Sequence, residues 1–253
     1  GSYVMGTSGL SEAASSATTC NFGSPSCTFT VEDSGFIFTI PNHVAEASQT
    51  ITVSAVKKSD SSSACVPAFS STSRSVNFSC AYVNPAQGSQ PVRIGGLALN
   101  AAGNTAAACD AGGRSVPLAF NASGVASTTV QYADAGRLQI KASYSGSGTE
   151  DGLLMAGDGT FTAAPASFSF SAVSAAPIKA GANFSATVSA LNAVGQVTPN
   201  FGAETAAEGI TLSWAKYRPS GSAATAGTFS GAGGLVGFSS GKLTKTTLSW
   251  SEV

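Results

Sequence analysis

Apolar side chains recur at every second position along most of this chain. Phe36-Ile37-Phe38-Thr39-Ile40 sets three large apolar side chains on one face of an extended segment, and Thr28-Phe29-Thr30-Val31 alternates polar with apolar. A period of two marks a β-strand with one buried face. Further candidates follow at short intervals: Thr50–Val56, Val76–Val83, Val92–Leu99, Val116–Asn121, Ala126–Tyr132 and Leu138–Tyr144. Between them stand turn residues, at Asn84-Pro85, Gly88, Gly95-Gly96, Gly112-Gly113 and Asp134-Ala135-Gly136. No helical period persists over about 12 residues, which argues against alternating strand and helix units. The pattern predicts an all-β chain of short strands packed as sandwiches.

Composition agrees with that reading. Charged residues make up only 10% of the 253 residues, against roughly 25% in an ordinary globular protein. Hydrophobic residues reach 43% and the net charge is −1, so the chain lacks the low hydrophobicity and high charge of a disordered one. Its apolar residues are mostly small, which suits a thin core between two sheets. The 12 Lys and Arg are scattered, and phosphate binding needs a concentrated basic face, so nucleic acid is not an expected partner. No run of about 18 apolar residues offers a membrane span.

A second series of strands begins near Pro165: Ser167–Ser171, Asn183–Leu191, Ile210–Trp214, Thr228–Ser230 and Lys245–Trp250. The stretch Ser145–Thr160 is rich in Gly, Ser and Asp, and Ala163-Ala164-Pro165 reads as a hinge. The expected organisation is a linker or disordered lead-in over 1–19, a first β-sandwich domain over 20–163, and a second over 164–253. Gly1-Ser2 reads as a cloning remnant, and no signal peptide is visible. The pattern stops mid-strand at Trp250-Ser251-Glu252-Val253, so the second domain is expected either to be truncated at its C-terminus or to have that strand completed by something else.

A short element recurs as Asn100-Ala101-Ala102-Gly103, Asn121-Ala122-Ser123-Gly124 and Asn192-Ala193-Val194-Gly195. Asn can bond the backbone two residues on and Gly accepts positive φ, so each copy predicts a hairpin turn.

The five cysteines contain no Cys-x-x-Cys pair, and there is one His. Metal ligation is therefore not expected, and disulfides in an oxidising compartment are. Spacing cannot fix the pairing. Short loops favour Cys20–Cys27 and Cys65–Cys80, with Cys109 left as a buried free thiol; a Cys80–Cys109 bridge is the main rival.

A search for chemistry finds little. His43 follows Pro41-Asn42 and reads as a solvent-exposed turn residue. Gly237-Phe238-Ser239-Ser240-Gly241 matches the nucleophile-elbow pattern, yet it lacks the helix that should follow and a downstream His, so it reads as a loop. Glu32-Asp33, Glu150-Asp151 and Asp158 could contribute to a calcium site at a domain junction, but solvated turns are the expected reading. No sharp carboxylate pair stands out for glycoside hydrolysis. Trp214 and Trp250 each follow Leu-Ser and are expected to pack in or at the edge of a sheet. With Tyr217, Trp214 is the candidate for a ligand-binding platform. No catalytic residue and no cofactor is expected.

Three stretches carry a resemblance. Tyr132-Ala133-Asp134-Ala135-Gly136-Arg137-Leu138-Gln139-Ile140-Lys141-Ala142, Leu191–Gly202 and the ending Ser249–Val253 resemble the C-terminal region of MshQ-type proteins, named for biogenesis of the mannose-sensitive haemagglutinin (MSHA) type IV pilus. Cys65-Val66-Pro67 and Phe78-Ser79-Cys80-Ala81-Tyr82 are similar to that family's paired cysteines. The resemblance covers roughly residues 27–253. It implies tandem bacterial immunoglobulin-like domains, an extracellular place on the cell surface or pilus, and a role in cell adhesion as a non-enzymatic structural module. Expected partners are other pilus or cell-surface proteins. The alternative is an adhesin domain that binds a host or surface glycan or a protein.

Overall fold

A computed structural model describes residues 2–4, 28–30, 33–59, 61, 64–214 and 227–252. In chain order its strands are β1 (Ser2–Val4), β2 (Thr28–Thr30), β3 (Ser34–Thr39), β4 (His43–Val44), β5 (Gln49–Lys58), β6 (Cys65–Pro67), β7 (Thr72–Asn84), β8 (Val92–Ile94), β9 (Leu97–Ala98), β10 (Arg114–Phe120), β11 (Val125–Tyr132), β12 (Gly136–Ser145), β13 (Leu154–Ala164), β14 (Ser167–Ser171), β15 (Asn183–Leu191), β16 (Gly227–Ser230) and β17 (Lys242–Glu252). One 3-10 turn at Gly148–Glu150 is the only helical element among the described residues, none of which forms a helix able to cross a membrane.

The first unit is a sandwich. One sheet runs β10-β7-β12-β13-β4, and the facing sheet runs β3-β5-β11-β8-β9, with β6 paired to the far end of β5. All pairings are antiparallel except β13 with β4. Alternation in the sequence becomes alternation in burial. Ile51, Val53 and Ala55 of β5 face Val76 and Phe78 of β7, Val116, Leu118 and Phe120 of β10, and Leu138, Ile140 and Ala142 of β12 in one core. Burying an apolar side chain of this size contributes about 1.5–3 kcal/mol.

The second unit is one antiparallel sheet ordered β14-β15-β17-β16. Its inner face, with Val188, Ala190 and Leu248, is covered by Phe201, Leu212, Leu235 and Phe238 from irregular segments. The strand expected at Ile210–Trp214 is absent. Ile210 bridges Leu235 and Leu212 N donates to Ala232 O at 2.9 Å, but Gly231 and Gly234, with φ of +83° and +57°, interrupt a regular ladder.

Several expectations change in detail. Within the stretch read as a lead-in, Ser2–Val4 pairs with Thr28–Thr30 as a strand. The strand expected over Val92–Leu99 folds back on itself at Gly95-Gly96, with φ of +55° and +80°. Two successive positive φ values make a type I′ turn, the form that matches the twist of a hairpin.

The Gly-, Ser- and Asp-rich stretch Ser145–Thr160 holds the first part of β13, because its glycines serve packing. A Cβ on Gly157 would meet the Phe36 carbonyl oxygen at 2.2 Å, and one on Gly159 would meet Phe38 Cβ at 3.0 Å. Strand glycines of this kind mark close backbone approach, and here they let β3 and β13 close one side of the sandwich. The hinge read at Ala163–Pro165 is also tied down: Ala45 N donates to Ala164 O at 2.7 Å and Ala166 N to Leu191 O at 2.7 Å.

The disulfide expectation is corrected. Cys80 is bonded to Cys109, with Cα atoms 5.2 Å apart, so Cys109 is not a free thiol. Cys65 carries the free, exposed thiol. The reason is which way the side chains face: Cys80 on β7 points into the core, where Cys109 packs, whereas Cys65 on β6 is exposed. Cys109 is presented to Cys80 by Tyr82, whose hydroxyl accepts from Cys109 N at 2.9 Å and donates to Gln90 O at 2.7 Å. Cys20 and Cys27 lie outside the described residues.

Candidate functional site

The residues singled out for chemistry are not brought together. His43 is not an exposed turn residue. It sits half-buried in β4, its ring stacked on Phe161 with centroids 4.9 Å apart. Its Nδ1 donates to Pro41 O at 3.1 Å, while Nε2 is buried without a partner. Burial holds its pKa below the ordinary 6.5. Such a ring is a packing element.

The Gly237–Gly241 segment is a tight turn: Ser239 N donates to Lys242 O at 2.8 Å, Ser240 and Gly241 have φ of +49° and +70°, and strand β17 follows. Phe238 is buried in the second core.

Both carboxylate oxygens of Glu150 are taken up by protein donors, Oε1 and Oε2 by Arg74 and Oε2 also by the Tyr144 hydroxyl. Asp158 accepts from Gln139 Nε2 at 2.8 Å. No group of three or more His, Cys, Asp or Glu side chains suited to a metal ion occurs among the described residues. Trp214 is 51% exposed and meets Trp250 edge-on at 4.4 Å. Tyr217 lies outside the described residues.

The polar groups that do converge lie at the seam between the two units. Asp134 stands in the turn between β11 and β12 and is fully buried. Its Oδ1 accepts from Ala135 N at 2.7 Å and, across the seam, from Asn200 N at 3.0 Å. The Asn200 side-chain amide donates to the Tyr132 hydroxyl at 3.2 Å and to Gln87 O at 3.3 Å.

Asn192, from one of the recurrent turns, sends its amide to Ala133 O at 3.0 Å, and the next residue donates from Ala193 N to Ala45 O at 2.9 Å. Thr205 N donates to Asn84 Oδ1 at 2.9 Å. Ala135 completes the seam by packing in the second unit's core. Beside these contacts a groove of about 510 Å³ runs between the units, lined among others by Arg137, Phe168, Phe201 and Glu204.

All three recurrent turns form, but the expected hairpin holds only at Asn192–Gly195, where Leu191 bridges Val197; the turn at Asn121 carries the chain from β10 in one sheet to β11 in the other, and the turn at Asn100 follows β9, which pairs back on β8. In each, Gly N donates to Asn O, at 2.9, 3.0 and 3.0 Å, and Asn Oδ1 accepts from the residue four positions on. What the motif does not reveal is the use of the spare amide protons. Asn100 and Asn192 are buried and spend them on Asn104 and Ala107 carbonyls and on Ala133 respectively.

The electrostatics of the seam follow from burial. Desolvation raises the Asp134 pKa to about 6 and Glu204 adds to the rise, while the two backbone amides oppose it. Its Oδ2 is buried with no hydrogen-bond partner. Burial also raises the pKa of Tyr132, and the nearby Asp134 charge adds to it. Asp134-Ala135-Gly136 looks like an ordinary turn in the sequence; five of the six cross-seam bonds named above use a backbone atom on one side, which leaves no side-chain signature.

Comparison with known proteins identifies a family. The model of the family described as "Domain of unknown function (DUF6701), first Ig-like domain" matches residues 17–158, over half of the 253-residue chain. No curated protein and no solved structure matches.

Proposed function

Because the chain belongs to the family of the DUF6701 first Ig-like domain, we propose that it is a non-enzymatic structural module of a bacterial cell-surface protein, exported from the cell and associated with a type IV pilus. The observation that carries this reading is the seam. Asp134, Asn192, Asn200 and Asn84 join two β units through bonds that fix one unit's orientation on the other. A connection of only two residues between β13 and β14 serves the same end. Such a pair works as a short rigid spacer, and strand ladders on both sides of β12 resist extension along the chain. The Cys80–Cys109 bridge suits an oxidising compartment. The pilus association rests on the MshQ resemblance.

Residual dipolar couplings recorded in mildly acidic and in neutral solution test the rigid-spacer role: one alignment tensor should fit both units in acid, and two independent tensors under both conditions would overturn it. Deletion of this segment in the parent bacterium tests the pilus association, which fails if pilus assembly and adhesion are both unchanged.

One observation favours a second reading, that of an adhesin domain. Trp214 exposes half its surface while Trp250 braces it edge-on, and an aromatic ring held in that way can stack on a sugar. Specific glycan-array binding that vanishes in Trp214→Ala would favour it; an array with no signal would remove it.

A further inference from the structure

We propose that the seam between the two units is a proton-sensitive joint, tighter in mildly acidic surroundings and looser at neutral pH, with Asp134 as its sensor. The geometry carries the argument. Asp134 is buried at the seam where the second unit docks: one oxygen is held by Asn200 N from that unit, and the other lies buried with nothing to bond. An ionised carboxylate with an unsatisfied buried oxygen is costly, and the neutral acid is less so. Separating the units would return the carboxyl to water and remove that cost.

The Ala135 and Asn200 amides favour the ionised form, and burial outweighs them. Glu204, from the second unit, acts on Asp134 with the same sign. Tyr132 of β11 and Tyr82 of β7 are also near it, as neutral phenols whose ionisation the Asp134 charge disfavours. None of the three is a cation. Arg137 directs its guanidinium at Thr160 Oγ1 3.5 Å away, and Arg93 and Glu46, on the other side of Ala133, are paired with each other.

The direction follows from linkage. The docked form binds the proton at about 6 instead of the ordinary 3.8. The form that binds the proton more tightly is favoured as pH falls, so docking strengthens between about pH 6 and pH 4 and is weakest, and flat, above pH 7. If opening exposes the carboxyl completely, the ratio of docked to open forms changes by about 100-fold over that window.

The test uses the whole chain. A carbon-13 titration of the Asp134 carboxyl should give a midpoint near 6. Nitrogen-15 relaxation and dipolar couplings recorded from pH 4.5 to 7.5 should show inter-unit motion increasing through the same midpoint. Asp134→Asn should abolish that pH dependence, and Glu204→Gln, which removes a like charge, should move the midpoint down. A carboxyl that titrates near 4, motion that does not change with pH, or a pH response that survives in Asp134→Asn would each overturn the proposal. Should Asp134→Asn not fold, the carbon titration and the Glu204→Gln shift still decide. The inference rests on the rigid-spacer reading, and the outcomes separate the two: independent tumbling at every pH defeats both, whereas a rigid pair at every pH defeats only the joint.

Discussion

The carbonyl oxygen of Phe36 lies over Gly157 so closely that a Cβ built on Gly157 would stand 2.2 Å from it. This contact is where the two sheets of the first sandwich meet along β3 and β13. The atom in the way is backbone, which cannot swing aside.

Gly157→Ala is therefore expected to destabilise the protein by at least 1–3 kcal/mol, roughly the cost of overpacking a well-filled site. Gly233 supplies the control, because nothing lies within 4 Å of its added Cβ. Gly233→Ala should change stability by about 0.5 kcal/mol or less. Denaturant midpoints of the two variants check the contrast.

Replacing Cys80 and Cys109 by Ser should cost about 3–4 kcal/mol, the loop entropy released when a bridge across 29 residues is lost. Non-reducing peptide mapping should recover one cross-link between the peptides holding Cys80 and Cys109. Under native conditions an alkylating reagent should label Cys65, which is exposed, and leave Cys80 and Cys109 unmodified.

The strands that were legible beforehand, among them β5, β7, β10 and β12, each bury one face and show it to the other as alternation. β13 broke that rule because Gly157 and Gly159 stand where side chains would mark a strand. The cysteine pairing was hidden because proximity in the chain says nothing about which side chains face the core: Cys80 and Cys109 do, and Cys65 is exposed. The Asn-x-x-Gly turns were visible as turns, since their bonds are local. Their reach across the seam was not, because Asn192 is received by the carbonyl of Ala133, an atom every residue carries.

Two carboxylates should give stability opposite dependences on pH. Glu150 is held below its ordinary pKa, first by its hydrogen bonds from Arg74 and then by that from Tyr144. Its contribution is present above about pH 4.5 and is lost as pH falls through the lowered value. The pair is partly exposed, so Glu150→Gln should cost about 1 kcal/mol or less at neutral pH and nothing in strong acid. Asp134 runs the other way. Its contribution is complete below pH 3.8 and is lost as pH rises to about 6, a change of at most about 3 kcal/mol. Unfolding curves of Glu150→Gln and Asp134→Asn across pH 3 to 8 should separate the two slopes.

The three recurrent turns offer a comparison of one motif in two settings. Asn121 and Asn192 make the same local bonds: each side-chain oxygen accepts from the amides two and four residues on. Asn121 is exposed, so Asn121→Ala removes only the turn's own bonds and should cost about 1 kcal/mol. Asn192 is buried and also bonds Ala133 O across the seam. Asn192→Ala loses the same turn bonds and also leaves the Ala133 carbonyl without its partner at the seam, so it should cost about 2–4 kcal/mol. It should also raise hydrogen exchange at Asn200 and Ala193, whose amides donate across the same seam. Equal losses in the two variants, with exchange at Asn200 unchanged, would mean that the units are held together by something other than these bonds.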